Sequence, residues 1–96
     1  MEVDRIIASL RRQLPLLRER YRVRSIQVFG SYARGEQGTN SDLDLLVTFT
    51  EPPGLLEFIE LEHYLSDSLG VEVDLVLKDT LRPRIGQAVL SEAVAV

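Results

Sequence analysis

The sequence predicts an α/β fold: a small mixed sheet of three to four strands with helices packed on it, in the order α-β-α(turn)-β-α-β-α. Two amphipathic stripes, at 2–21 and 55–69, supply helices long enough to cover a sheet. Three short runs rich in β-formers, at 24–29, 43–49 and 71–77, supply strands. The helix between the second and third of these favours a parallel pair joined by a right-handed crossover.

In the first helix Val3, Ile6, Ile7, Leu10, Leu14, Leu17 and Tyr21 share one stripe about 100° wide, with Arg5, Arg12 and Arg20 outside it. Pro15 falls inside this pattern. It has no N–H for the carbonyl of Arg11, so a kink or a split is expected there. Ser25 to Phe29 are rich in β-formers, and the first strand, about 24–29, ends at Gly30. Residues 30–42 (GSYARGEQGTNSD) change texture to a glycine- and serine-rich loop with one helical turn near Tyr32–Arg34. The second strand, Leu43–Phe49, is broken by Glu51-Pro52-Pro53-Gly54. The second long helix places Leu55, Phe58, Ile59, Leu65 and Leu69 on one face and stops at Gly70. Val71–Leu77 alternates as a third strand. Pro83 suits the first turn of a last helix, 83–92, and Val94–Val96 ends the chain as a short edge strand.

The 96 residues suit one domain, 1–96, since domains run about 50–250 residues. A chain of this length leaves no room for a second substrate lobe, so a deep cleft would need a partner. Cysteine is absent, which removes disulfides and thiolate chemistry, and His63 is the only histidine, which excludes multi-His zinc sites. No apolar run reaches the ~18 residues of a membrane span, and no signal peptide opens the chain, so a cytoplasmic protein is expected. The formal charge of −4 argues against direct nucleic-acid binding. That charge is uneven: residues 1–24 carry seven Arg against Glu2, Asp4 and Glu19, a net +4, which leaves −8 on the rest. The Arg-rich first helix reads as a solvated face or as a docking surface.

The acidic part holds the chemistry. Side chains alternate along a strand, so Asp42 and Asp44 point one way and Leu43, Leu45 and Val47 the other. Asp74 repeats this layout on the third strand, opposite Val71, Val73 and Leu75. If these strands are parallel and the first is antiparallel to the second, the three acids and Gly30-Ser31 meet at one end of the sheet. Clustered carboxylates repel one another unless a cation neutralises them. Hard oxygen ligands favour Mg²⁺, bound together with substrate phosphates. A Gly-Ser turn lets backbone N–H groups approach phosphate closely. Together these suggest nucleotidyl or phosphoryl transfer with two metal ions. The plainer reading of Ser41-Asp42-Leu43-Asp44 alone is a turn cap. An acid inside the Val-rich strand at 74 tips the balance toward a site.

Gly30-Ser31-Tyr32-Ala33-Arg34-Gly35, then Ser41-Asp42-Leu43-Asp44, then Asp74, resembles the minimal nucleotidyltransferases of the DNA polymerase beta superfamily, whose pattern is G-S-x-x-R-G, S-D-x-D and a third Asp about 30 residues on. The resemblance covers nearly the whole chain and no element of the motif departs from it. At this size the chain looks like the antitoxin of HEPN–minimal nucleotidyltransferase toxin–antitoxin pairs. That resemblance implies a Mg-dependent enzyme that transfers AMP from ATP to a tyrosine hydroxyl of a HEPN ribonuclease partner. It implies that Asp42 and Asp44 bind two Mg²⁺ ions, that Asp74 binds the catalytic one and takes the hydroxyl proton, and that Gly30 and Ser31 hold the β- and γ-phosphates. Two other classes remain open: a catalytically silent nucleotide-binding module that acts by occlusion, and a small-molecule transferase acting on an aminoglycoside-like alcohol.

Several residues have two readings. Arg34 either reaches the triphosphate or pairs with Asp42 or Asp44 and orients the loop. Gly35 ends the turn in the left-handed region. Ser41 closes the loop ahead of the acids and has no His beside it to make it a nucleophile. Arg82 and Arg84 flank Pro83 at a helix start, where cations are disfavoured, which hints at an anion such as a nucleotide phosphate. Lys78 is a weaker candidate for the same role. Glu72 shares the face of Asp74 and either supports it or is edge-exposed. His63 is expected at the surface.

Overall fold

A computed structural model describes residues 2–38, 40–81 and 83–96, with the side chains of residues 2 and 83–85 outside the described set. The elements are α1 (Glu2–Tyr21), β1 (Val23–Phe29), α2 (Gly30–Arg34), β2 (Leu43–Phe49), α3 (Leu55–Leu69), β3 (Val73–Leu77), a 3₁₀ turn (Lys78–Thr80), α4 (Pro83–Glu92) and β4 (Val94–Ala95). One four-stranded sheet has the order β3-β2-β1-β4. β1 is antiparallel to both β2 and β4, and β2 runs parallel to β3, as the crossover through α3 requires.

α1 and α3 bury their stripes on one face of this sheet. Leu10, Leu17, Leu61, Leu65, Leu43, Leu45, Val47 and Val28 are all at 0% exposure there. The helix runs through Pro15 without the expected split. Pro15 lies on the exposed side, so the unpaired carbonyl of Arg11 is turned to the solvent side, while Leu10 and Leu17 keep both halves packed. Arg22, between α1 and β1, adopts a left-handed φ of 59°. Its carbonyl accepts the Thr50 N–H at 2.9 Å and its guanidinium meets Glu51 at 2.6 Å, which fastens the turn despite the strain.

β3 begins two residues later than its alternation suggests. Gly70 caps α3 at φ 71°, and the chain needs Val71 and Glu72 to turn into the sheet. The Glu72 carbonyl then accepts the Leu43 N–H at 2.8 Å, so β2 and β3 are already tied before the ladder starts. The outer edge of β3 is covered by α3: Ser66 Oγ accepts from Val73 N–H at 3.0 Å and Glu62 Oε2 from Leu75 N–H at 2.9 Å. These bonds occupy donors that an edge strand would otherwise offer to another chain. Among the described residues no helix is long and apolar enough to cross a membrane.

Candidate active site

The ladder decides which acids meet. Asp44 is paired with Asp74 across the parallel β2–β3 junction and with Phe29 across the antiparallel β1–β2 junction. Phe29 leads directly into Gly30, so the start of α2 lands beside Asp44. All three strand ends therefore come to one end of the sheet, as the sequence analysis anticipated. Asp44 is half-buried, and Asp42 and Asp74 are exposed.

Gly30 is required twice over. Its φ of 72° suits a residue without a side chain, and a Cβ there would overlap Asp44 Oδ2 and lie 3.1 Å from its Cγ. α2 is anchored by Tyr32, which is 5% exposed, and is closed by Gly35 at φ 70°. The Gly35 N–H donates to the Tyr32 carbonyl at 3.3 Å and the Glu36 N–H to the Ser31 carbonyl at 2.9 Å. Ser41 has the loop-closing place expected of it: its Oγ accepts the Gly38 N–H at 2.8 Å and its own N–H donates to the Gly38 carbonyl at 3.2 Å. Beside the acids opens a cleft of about 290 Å³, lined by Tyr32, Asn40, Ser41, Asp42, Val71 and Glu72 among others.

The cluster is electrostatically tense. The Asp44 carboxyl is pushed above its usual range, first by burial, then by the charges of Asp74 and Asp42, with Arg34 acting against them. Ion pairs of the described residues join Arg20 to Glu60, Arg22 to Glu51, and Arg34 to Glu36 and Glu92. Of these, Arg34 alone acts on Asp44, and from a guanidinium already paired with Glu36 and Glu92. Among the described residues no three His, Cys, Asp or Glu side chains converge tightly enough to hold a metal ion alone. The donor set still fits a hard divalent cation, because Mg²⁺ takes one or two carboxylates and completes its shell with water and substrate phosphate.

Arg34 departs from the expected pairing with Asp42 or Asp44. Its Nε donates to Glu36 Oε2 at 3.2 Å and its Nη1 to Glu92 Oε2 at 2.9 Å. Glu92 ends α4, which packs against α2, and is 58 residues away in sequence, so no local pattern pointed to it. Lys78 also moves away from the site. It follows the far end of β3, four residues past Asp74, or ~13 Å along the strand. Glu72 lines the cleft beside Asp42, and His63 is exposed. Arg82 and the side chain of Arg84 lie outside the described residues.

The model for the nucleotidyltransferase domain matches residues 10–96. The chain belongs to the nucleotidyltransferase domain family. It is an enzyme of that class, with the minimal architecture of helix, acid-bearing sheet and short cradle. It is 50% identical to the protein adenylyltransferase MntA of Thermococcus cleftensis over 95 residues, which is 99% of this chain and 93% of that protein. It is 36% identical to the protein adenylyltransferase MntA of Shewanella oneidensis over 73 residues, 76% of this chain and 48% of that protein. A solved structure assigned as a minimal nucleotidyltransferase superposes with a TM-score of 0.83 at 41% identity, covering 100% of this chain and 97% of that one. A crystal structure of a toxin–antitoxin with AMP-PNP gives 0.71 at 28% identity, covering 99% of this chain and 72% of that one.

Proposed function

We propose that this enzyme transfers AMP from ATP to a tyrosine hydroxyl of a HEPN-family toxin and so acts as its cytoplasmic antitoxin. The observation that carries the reading is the pairing of Asp44 with Asp74 at one sheet end, with Asp44 packed on Gly30 and the Asp42 charge acting on it. The adenylyltransferase relatives and the toxin–antitoxin neighbour support the choice of a protein acceptor.

In this reading Asp42, Asp44 and Asp74 would hold the two Mg²⁺ ions. The metal supplies charge neutralisation at the α-phosphate and at the leaving pyrophosphate. Gly30 lets the backbone approach the triphosphate, and Ser31 offers its N–H and hydroxyl to the β- and γ-phosphates. The acceptor oxygen attacks the α-phosphorus as the bond to the β-phosphate oxygen breaks. One phosphoester forms, pyrophosphate leaves, and the hydroxyl proton passes toward the Asp74 carboxylate. Glu36 and Glu92 engage Arg34, so it is assigned no part in holding the triphosphate.

Incubation with ATP labelled at the α-phosphate, Mg²⁺ and a co-expressed HEPN partner tests this reading. We expect a labelled partner band with α-label only, lost in Asp44→Asn and in a partner lacking the acceptor tyrosine. Label from the γ-phosphate would mean kinase chemistry. Neutralisation of the partner by Asp44→Asn at undiminished strength would mean occlusion. Transfer to small alcohols but not to protein would mean a small-molecule transferase.

A further inference from the structure

Arg34 is placed where it can disarm the site. It lies one helical turn after Ser31, and its charge is felt at Asp44. A guanidinium is the strongest side-chain competitor for a carboxylate, because its planar fork donates two parallel bonds. Settled on Asp42 or Asp44, it would neutralise the groups a divalent cation needs. Instead two of its donors are engaged elsewhere. Nε faces Glu36 Oε2 at 3.2 Å, from the loop that follows α2, and Nη1 faces Glu92 Oε2 at 2.9 Å, from the last turn of α4. The Arg34 and Glu92 side chains are each 42% exposed. Pairs this open add little to stability, so two acids converging on one arginine call for another reason.

We propose that Glu36 and Glu92 are positioning residues that hold the Arg34 guanidinium off the Asp42–Asp44–Asp74 cluster and thereby keep the cluster open to a divalent cation. The inference rests on the metal-dependent reading of the site given above. It assigns α4 a part in the chemistry although α4 contributes none of the three acids.

Mn²⁺ titration followed by electron paramagnetic resonance reads cation binding without turnover. It is run with and without AMP-PNP on wild type, Glu36→Gln/Glu92→Gln, and that pair combined with Arg34→Ala, after circular dichroism shows each folded. If the freed guanidinium occupies the acids about nine-tenths of the time, the apparent Mn²⁺ Kd of the double variant rises about tenfold. Removing Arg34 then restores it to near the wild-type value. A double variant that binds Mn²⁺ as wild type does, or a weakened affinity that persists after Arg34 is removed, overturns the inference and leaves the reading of the site intact. A wild type that binds no Mn²⁺ in either condition overturns both.

Discussion

Leu45 and Asp44 are neighbours on β2, yet opposite forces hold them. Leu45 is at 0% exposure among the side chains of α1, α3 and the other strands, and every contact favours its place. Asp44 points to the other face, half-buried against Gly30, with two more carboxylates repelling it. One face of the strand is packed for stability. The other keeps a local conflict among carboxylates, as functional sites commonly do.

The widest separation of the two faces comes from Asp44→Asn. Transfer activity should fall by about 10²–10³-fold, on the order of the loss when a preorganised electrostatic group is removed. The melting temperature of the metal-free protein should hold or rise, since a repelling charge is gone. A drop in melting temperature would mean that Asp44 is structural.

The converse change, Leu45→Ala, should cost about 2–5 kcal/mol in urea unfolding, through lost burial and the cavity left behind. The fraction that remains folded should keep its cation affinity, which Mn²⁺ titration checks.

Gly30→Ala joins the two faces. The left-handed φ alone costs about 1–2 kcal/mol, and the methyl group must also displace the Asp44 carboxylate. Weaker nucleotide binding should accompany the lower stability. Nucleotide affinity equal to wild type by calorimetry would show that the close approach is unnecessary.

The smallest effect is on pH dependence. Asp44 titrates higher in the folded chain than in the unfolded one, so the folded state binds the extra proton. The metal-free protein should therefore gain stability from this group as pH falls through the raised folded value toward the ordinary unfolded one near ~3.9, and lose that gain as pH rises again. Chemical denaturation between pH 4 and 7 should show the trend, with Asp44→Asn flattening it. The opposite slope at this residue, isolated by comparison with the variant, would contradict the assigned direction.

Local pattern carried most of the fold. The bounds of α1, β2, α3 and α4 coincide with their stripes and breakers, because a helix or strand repeats at short range what it needs to bury. The late start of β3 escaped the pattern: Val71 and Glu72 alternate like strand residues but are used to turn out of Gly70. Pro15 points to a split that does not occur. Burial of Leu10 and Leu17 holds the helix together across it.

Within the site, Asp42, Asp44, Asp74, Gly30 and Ser31 could be singled out by residue type and spacing. The proposal that they bind metal and phosphate rests on chemistry that a sequence displays: acids in a hydrophobic strand and glycine before a short helix. Which neighbours those residues meet was another matter. The Asp44–Asp74 pairing depends on a parallel register, and the engagement of Arg34 by Glu92 depends on α4 folding back across β1 to reach α2. A sequence states side-chain chemistry and short-range periodicity. Contacts between residues 30 and 58 positions apart are set by how the elements pack, and only the tertiary structure brings them together.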